Sequence, residues 1–167
     1  SVMNVLKLNL KKNHKKLESL RPLPGRGEIL QIKKRAKKFF LIDESYNSNP
    51  NSLKMAILDL NKEKYKLNGK ILVIGDMLEL GKFSKKMHKE IVPIISNIQP
   101  KLVITVGEFS RVISESLPSN ISSFHFKKVF HVYNKLLTKI DNNDIVMVKG
   151  SNSTKLSMLI KFLSQGM

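Results

Sequence analysis

The 167-residue sequence predicts a doubly wound α/β fold with a mostly parallel sheet, preceded by a short helical and linker segment. Short, nearly continuous apolar runs alternate about five times with amphipathic stretches of helical period. Strands this apolar are typical of a sheet covered by helices on both faces. Polar and glycine residues follow the runs, and in such folds they gather at the carboxyl edge of the sheet, where ligands bind.

The N-terminal part of the chain is predicted to be a partly helical segment followed by a linker. Residues 1–20 have apolar positions at partly helical spacing but no strand partner. Residues 21–27 contain two prolines and two glycines, which interrupt both helices and strands, so they should form a linker. We therefore expect a boundary near residue 25, with a short helical and linker segment in residues 1–25 and the α/β domain in residues 26–167.

Five strands and five helical stretches should follow the linker. The strands are predicted at residues 39–42, 70–74, 101–106, 123–126 and 144–148. The apolar faces of the helices fall within residues 53–60, 87–98, 109–117, 132–140 and 156–163. Asn49 is expected to cap the first helix with Pro50 at its first position, and Ser84 can cap the second. Pro93 should kink that second helix or bound its first turn.

The composition restricts the class of protein. The net charge of +17 is concentrated in residues 1–38, which carry 12 basic and 2 acidic side chains. This excess predicts a lysine-rich solvated surface, with a polyanion site as the alternative. The chain has no cysteine, which excludes disulfides and thiolate metal sites and favours the cytoplasm. No apolar run approaches the roughly 18 residues of a membrane span, so we expect a soluble protein without a signal peptide.

The standard phosphate-binding motifs do not occur in the sequence. It contains no G-x-x-x-x-G-K-S/T and no strand followed by G-x-G-x-x-G, so the chain is not expected to be a self-sufficient P-loop ATPase. Its four histidines are too scattered to suggest a metal site. We expect them to have surface or packing roles, with His88 less certain because it follows the loop at residues 75–81.

The segment from Asp43 to Pro50 is the most informative stretch. It follows a predicted strand and leads into a capped helix, so capping and turn formation are one interpretation. Its density of directional groups favours another. A carboxylate at a strand end can accept from sugar hydroxyls, Tyr46 can stack on or hydrogen-bond a base, and Asn47 offers both a donor and an acceptor. These are groups that bind a nucleotide.

Four stretches resemble the carboxy-terminal domain of the MurF-type ligases. Residues 43–50 resemble the family's Asp-Asp-Ser-Tyr-Asn-Ala-Asn-Pro motif, and residues 75–81 resemble its Gly-Asp-Met-x-Glu-Leu-Gly motif. Residues 148–151, Val-Lys-Gly-Ser, and residues 24–26, Pro-Gly-Arg, give two further matches in the family's order. The chain departs from the pattern at Glu44 and Ser48, and a lysine, Lys155, stands where the family has an arginine.

The resemblance implies the closing domain of a ligase with a Rossmann-like fold. Such enzymes join D-alanyl-D-alanine to UDP-N-acetylmuramoyl-tripeptide in peptidoglycan precursor synthesis, with ATP and Mg²⁺ as cofactors and an acyl phosphate as intermediate. The P-loop and the magnesium ligands would lie in a central ATPase domain, whose last part would be residues 1–25. The isolated chain should then have no ligase activity and at best weak ATP binding. Neither a membrane nor a nucleic acid is expected as a partner.

By the same resemblance, four residues would bind the nucleotide. Arg26 in the hinge would contact it near the phosphates, and Asp43 would hold the ribose hydroxyls. Tyr46 and Asn47 would line the adenosine pocket.

Other positions would face the substrate. Lys149 would be the catalytic cation, beside the dipeptide and the reacting phosphoryl group, and Ser151 and Asn49 would contact the substrate. Asp76 and Glu79 could either shape the active-site loop or serve in capping and turn chemistry.

Three alternatives to this function remain. A basic α/β module could bind nucleic acid, although charge alone supports it. The chain could belong to another Mur-type ligase, against which the motifs at residues 43–50 and 75–81 argue. It could also be a degenerate homologue with a purely structural role.

Overall fold

The computed structural model describes residues 21–62 and 69–165, which form a six-stranded sheet with helices on both faces. The strands are β1 (Glu28–Lys34), β2 (Lys37–Glu44), β3 (Lys70–Gly75), β4 (Leu102–Val106), β5 (Ser123–Phe126) and β6 (Ile145–Lys149). The α-helices are α1 (Pro50–Asp59), α2 (Ser84–Lys89), α3 (Val92–Ile98), α4 (Arg111–Ser116), α5 (Val132–Lys139) and α6 (Leu156–Ser164). Short 3₁₀ turns lie at Gly81–Phe83, Val129–His131 and Asn152–Thr154. The predicted doubly wound α/β fold is confirmed, whereas the helical prediction for residues 1–20 lies outside the described residues.

The spatial order of the strands is β1-β2-β6-β3-β4-β5, with every neighbouring pair parallel except β1 and β2. Strand β1 was not predicted from the sequence. It pairs antiparallel with β2 through the two-residue turn Arg35-Ala36, whose φ angles of 48° and 61° are both left-handed. These angles fit a type I′ hairpin turn, which normally uses asparagine and glycine.

Successive side chains of the central strands point to opposite faces, and both faces are covered. On β3, Ile71 and Val73 pack with the buried residues of α5 and α6. Leu72 and Ile74 pack on the other side with those of α1, α3 and α4. All four of these side chains are 0% exposed, which explains why the strand contains no polar alternation.

The helix boundaries confirm most of the local predictions. Asn49 caps α1, since its Oδ1 accepts from the backbone N of Ser52 at 2.8 Å and the Ser52 hydroxyl accepts from the Asn49 backbone N at 3.1 Å. Pro93 lies in the first turn of α3 and separates it from α2. Ser84 was wrongly expected to be a cap: Phe83 occupies that position of α2, without a side-chain hydrogen bond, and Ser84 is the first helical residue.

Two lysines beside the hairpin turn donate hydrogen bonds to the C-terminal carbonyls of helices α5 and α6. The Lys34 ammonium donates to the backbone carbonyls of Phe162 and Gln165 at the end of α6. Lys37 donates to the carbonyl of Leu137 at 3.3 Å and to that of Ile140, at the end of α5. Cations at helix C-termini satisfy free carbonyls and the helix dipole. Part of the basic excess near the front of the chain therefore has a structural role.

The order of the strands opens a crevice at their carboxyl ends. Helices α1 and α3, which follow β2 and β3, lie on one face, whereas α6, which follows β6, lies on the other. Because β6 lies between β2 and β3, the chain leaving β6 turns to the face opposite the one to which the chain turns after β2 and β3. This is the switch point at which doubly wound sheets bind ligands. Within the described ranges, no helix is both long and apolar enough to cross a bilayer.

Candidate active site

The crevice contains two adjoining pockets that share residues 46–49 as a wall. The first, of about 260 Å³, is here called the lysine pocket, and its other described residues are Gly25, Arg26, Glu44, Ser52 and Lys149. The second, of about 610 Å³, is called the glutamate pocket, and it is completed by residues 78–80 and 151–153. All the predicted site residues except Asp43 line one or both pockets. Asp43 lies on β2, next in sequence to Glu44 of the lysine pocket.

The linker is fastened to the end of β2 by three hydrogen bonds. Gly25 N donates to Asp43 Oδ2 at 3.0 Å, and Gly27 N donates to the Asp43 carbonyl at 2.7 Å. The Tyr46 backbone N donates to the Gly25 carbonyl at 3.1 Å. Gly25 has a φ of +78°, and a Cβ there would lie 2.8 Å from the Tyr46 Cβ. Only glycine fits this approach, which brings Arg26 to the crevice.

Asp43 is a buried anchor, 6% exposed. Its Oδ1 accepts from the Ser45 backbone N at 3.0 Å and from the Ser45 hydroxyl at 2.7 Å, while Oδ2 accepts from Gly25. Each carboxylate oxygen accepts about two hydrogen bonds, so the capacity that remains is on Oδ2. The predicted contact of Asp43 with ribose stays a prediction, and it would have to use that oxygen.

Arg26 and Tyr46 form an exposed stack at the rim of the lysine pocket. The guanidinium carbon lies 4.1 Å from the centroid of the Tyr46 ring, and Tyr46 keeps 51% of its surface exposed. A cation over an aromatic ring is attracted by the partial negative charge of the ring face, and this attraction favours one arrangement of the two side chains. The pair therefore offers a stacking surface next to a fixed positive charge.

Lys149 is a buried cation at the end of β6, 2% exposed. Its Nζ donates to Glu44 Oε2 at 3.2 Å and to the Asn47 carbonyl at 3.0 Å. Burying an ammonium is unfavourable unless it is paired and hydrogen-bonded. Glu44 and the 46–49 wall thus hold a positive charge in place at the base of the lysine pocket.

Ser151 joins the loops after β2, β3 and β6. Its hydroxyl accepts from the Leu78 backbone N at 3.0 Å and lies 3.5 Å from the Ser48 carbonyl, and its backbone N donates to the Asp76 carbonyl at 3.0 Å. The loops also touch at Gly150, where a Cβ would lie 2.9 Å from the Gly75 Cα. Substitution at Gly150 would therefore separate β3 and β6 at the crevice.

The two acidic residues of the 75–81 loop have different roles. Asp76 is 6% exposed and accepts from the backbone N of Glu108 at 2.8 Å and of Ser110 at 2.7 Å, so it supports the turn before α4. Turn chemistry is the interpretation that the geometry favours for Asp76. Glu79 instead is exposed, lines the glutamate pocket and has a left-handed φ of 62°.

His88 holds the 75–81 loop in place from within the core. It is fully buried, its Nε2 accepts from the Met77 backbone N at 2.9 Å, and its Nδ1 lies 2.7 Å from the Ser84 carbonyl. Since Nε2 must accept, Nδ1 carries the hydrogen and the ring is neutral. Burial lowers the pKa of His88, against smaller opposing effects of the Ser84 carbonyl and Asp76. The predicted packing role is confirmed.

One polar group of the shared wall, the Ser48 hydroxyl, was not recognised as a site feature from the sequence. The Ser48 hydroxyl is buried and has no hydrogen-bond partner among the described residues, although Ser48 lines both pockets. Asn47 uses its Oδ1 to accept from the Ser48 backbone N at 2.8 Å. A substitution of the family's alanine by serine is the only sequence signal at Ser48. Within residues 21–62 and 69–165, no group of three or more His, Asp or Glu is placed to hold a metal ion.

Comparisons with known proteins identify a family model and curated ligases that are similar to this chain in sequence. Residues 25–152 match the family model described as "Mur ligase, glutamate ligase domain". The UDP-N-acetylmuramoyl-tripeptide--D-alanyl-D-alanine ligase of Rickettsia prowazekii is 29% identical over 96% of this chain and 34% of its own length. The ligase of the same name from Bacillus subtilis is 32% identical over 82% of this chain and 30% of its own length.

Solved structures share the fold. A MurF ligase from Thermotoga maritima in complex with ADP superposes with a TM-score of 0.79 at 22% identity, covering 97% of this chain and 35% of that one. A domain from a putative Mur-type ligase of Haemophilus ducreyi, solved by itself, gives a TM-score of 0.51 at 11% identity and is covered over 99% of its length. The basic nucleic-acid module finds no support in these relatives.

The chain spans about a third of the length of the curated relatives it matches. The family model, in contrast, covers most of the chain, from the linker to the turn after β6. The resemblance inferred from the four motifs is thereby confirmed, and the chain belongs to the Mur ligase family as a carboxy-terminal domain of the MurF type.

Proposed function

We propose that this chain is the closing domain of an ATP-dependent ligase that adds D-alanyl-D-alanine to UDP-N-acetylmuramoyl-tripeptide in the cytoplasm. The observation that carries the proposal is the convergence of all four motif stretches on one crevice. They arrive from the linker and from the loops after β2, β3 and β6, and the fold brings them together at the switch point. The names of the curated relatives supply the reaction.

The lysine pocket is the proposed nucleotide side of the crevice. The Arg26–Tyr46 stack offers an aromatic face for a base and a cation for phosphate, and the Asn47 side chain lies beside it. Asp43 would reach the ribose with the remaining capacity of Oδ2 while it anchors the linker. These groups fit an adenine nucleotide, and the Thermotoga maritima relative was solved with ADP. ATP supplies the phosphoryl group that activates the acyl carboxylate.

Lys149 is the proposed catalytic cation. It is held by Glu44 and by the Asn47 carbonyl, so its position does not depend on a ligand. A preorganised charge in a buried site stabilises developing negative charge without reorganisation at the moment of reaction. Lys149 would therefore act where charge accumulates on the transferred phosphoryl group and on the tetrahedral intermediate. Ser151 and Asn49 would border the dipeptide in the adjoining glutamate pocket.

The remaining parts of the reaction are assigned to other domains. The chain contains no P-loop, and its described residues contain no cluster for a magnesium ion, so we place both on preceding domains of the same polypeptide. Residues 1–25 would be the end of the central domain and the hinge, and residues 26–167 the closing domain. Closure would exclude water from the acyl phosphate and bring the dipeptide to it. By itself the chain should bind ATP weakly and ligate nothing.

The test uses Tyr46→Ala in the full-length ligase. Loss of the stacking face should raise the KM for ATP about tenfold with little change in the KM for dipeptide, whereas Tyr46→Phe should retain the wild-type value. Phe83→Ala is the matched control, because Phe83 is also about half exposed, at 49%, and also carries a cation over its ring. A rise confined to the dipeptide KM would contradict the nucleotide assignment.

A further inference from the structure

The helical layer formed by α5 and α6 carries charge of one sign. Residues 127–139 and 155–165, which contain both helices and the residues that lead into them, include six lysines and no aspartate or glutamate. On the opposite face of the sheet, in contrast, α1 and α4 each include an acidic residue, Asp59 and Glu115. The outer surface of residues 127–139 and 155–165 is here called the basic face. Its lysines are Lys127, Lys128, Lys135, Lys139, Lys155 and Lys161.

Apolar side chains are exposed within the basic face. Phe130 is 72% exposed, and Met158 and Phe162 are each 41% exposed. The rings of Phe162 and Tyr133 contact each other across the two helices, with centroids 6.1 Å apart. Phe130 precedes Tyr133 by three positions and Met158 precedes Phe162 by four, so the members of each pair are neighbours on the helical surface. The 3₁₀ turn of Phe130 also packs against α6, so the four side chains form one apolar group.

Lysines lie at both ends of this apolar group. Lys128 directly precedes the 3₁₀ turn of Phe130, and Lys155 directly precedes α6. At the C-terminal ends of the helices, Lys34 donates to a carbonyl of α6 and Lys37 to a carbonyl of α5. Within residues 127–139 and 155–165 no carboxylate offsets these cations. The exposed aromatic side chains are therefore bordered by positive charge along the length of both helices.

The charge restricts what can cover the apolar group. A second copy of the chain would bring two basic faces together, with no carboxylate on α5 or α6 to pair with the lysines, and like charges across an interface are unfavourable. A nucleic-acid duplex would satisfy the lysines but has no accessible apolar interior for Met158 and Phe162. An anionic bilayer satisfies both, because its headgroups attract lysines and its acyl boundary accepts aromatic and aliphatic side chains.

We propose that the basic face binds the surface of an anionic membrane, with Phe130, Met158 and Phe162 at the boundary between headgroups and acyl chains and the lysines on the lipid phosphates. A membrane partner was not expected from the sequence, which contains no spanning segment, but a surface contact requires none. The crevice opens at the carboxyl ends of the strands, whereas the basic face is the outer side of two helices, so the crevice stays accessible in this contact. The proposal does not depend on the reaction assigned to the crevice.

The first test is co-sedimentation of the chain with lipid vesicles. Vesicles that contain phosphatidylglycerol should bind the chain, whereas vesicles of phosphatidylcholine alone should not, and added salt should weaken binding by screening the surface potential. Phe130→Ser combined with Phe162→Ser should weaken binding about tenfold. Met55→Ser combined with Phe83→Ser is the matched control, since these side chains are 64% and 49% exposed and lie outside the basic face. No binding to phosphatidylglycerol vesicles, or equal binding by the two double variants, would overturn the proposal.

Charge reversal tests the face without changing the apolar group. Lys128→Glu combined with Lys161→Glu should weaken vesicle binding about tenfold or more. Lys54→Glu combined with Lys85→Glu makes the same change in net charge at exposed positions of α1 and α2, so it should weaken binding no more than about twofold. Thermal unfolding should show that all four proteins with changed side chains are folded. Equal losses in the two charge-reversed proteins would assign binding to net charge and contradict a role for this face.

Other occupants of the basic face would give different results, each of which would overturn the proposal. A chain that sediments as a dimer without lipid, and as a monomer with both Phe→Ser changes, would show that a second copy covers the apolar group. Binding of duplex DNA without binding of phosphatidylglycerol vesicles would assign the face to a nucleic acid. A full-length ligase that fails to bind vesicles that bind this chain would show that a preceding domain covers the face.

Discussion

Gly25→Ala is expected to detach the linker from the crevice. A Cβ on Gly25 would lie 2.8 Å from the Tyr46 Cβ, 2.9 Å from its backbone N and 3.1 Å from its Cα. Two of these three atoms, the Tyr46 N and Cα, belong to the backbone of the loop that follows β2. Backbone atoms cannot rotate away as the end of a flexible side chain can. The φ of +78° is unfavourable for alanine in addition.

The magnitude follows from what the clash would break. The left-handed conformation costs about 1–2 kcal/mol for a non-glycine residue. Releasing the linker instead would lose the three hydrogen bonds that join residues 25–27 to Asp43 and Tyr46, each worth about 0.5–1.5 kcal/mol. The free energy of unfolding should therefore fall by about 2–4 kcal/mol, limited by the strength of these three bonds.

Urea denaturation measures this loss, with Gly81→Ala as the control. Gly81 also has a positive φ, +52°, but a Cβ there would meet nothing within 4 Å, so it should show the conformational cost alone. Amide hydrogen exchange at Tyr46 should also accelerate in Gly25→Ala, because its partner is the Gly25 carbonyl. Equal losses in the two variants, with Tyr46 still protected, would refute the close-approach argument.

Three further predictions concern stability. Burial lowers the pKa of His88 in the folded state, so the free energy of unfolding should be highest above about pH 6.5 and decrease as the pH falls below it. His125, whose pKa is lowered by burial and by Arg111, acts in the same direction. Urea titrations should therefore show a weaker pH dependence of stability in His88→Gln than in the wild type. Arg35→Asn combined with Ala36→Gly should raise the free energy of unfolding by about 1 kcal/mol, because the Asn-Gly pair fits the left-handed turn; no gain in urea midpoint would argue against strain there. Lys37→Met should lower the free energy of unfolding by about 1 kcal/mol, because it removes the hydrogen bonds to the carbonyls at the end of α5. An unchanged urea midpoint would show that this contact is not stabilising.

The fold was largely predictable because the burial of a strand determines which residue types it contains. Strands β3, β4 and β6 are buried on both faces and therefore appear as continuous apolar runs. Strand β1 was missed because it is an edge strand inside a basic segment, and Glu28, Gln31 and Lys33 interrupt its apolar residues without a regular alternation. Its pairing is decided by β2, which a local pattern does not show.

The site was predictable in its location more than in the roles of its residues. Parallel strands place their carboxyl ends together, so the motif residues converge as expected. The role of Asp76 could not be decided from spacing, since its partners are the backbone N–H groups of Glu108 and Ser110, more than 30 positions away. Nor could the sequence show that Asp43 anchors Gly25, or that the Ser48 hydroxyl has no partner among residues 21–62 and 69–165. Such facts depend on tertiary contacts.

The role of Lys149 is tested most directly by ligation with a full-length protein that carries Lys149→Met. Its kcat should fall by about 100-fold or more, because a fixed charge is removed from the reacting phosphoryl group. Lys161→Met, at an exposed position of α6, is the control and should keep wild-type ligation. Ligation by a folded Lys149→Met protein within a few-fold of this control would contradict the assignment of the crevice as the site where the reaction is completed.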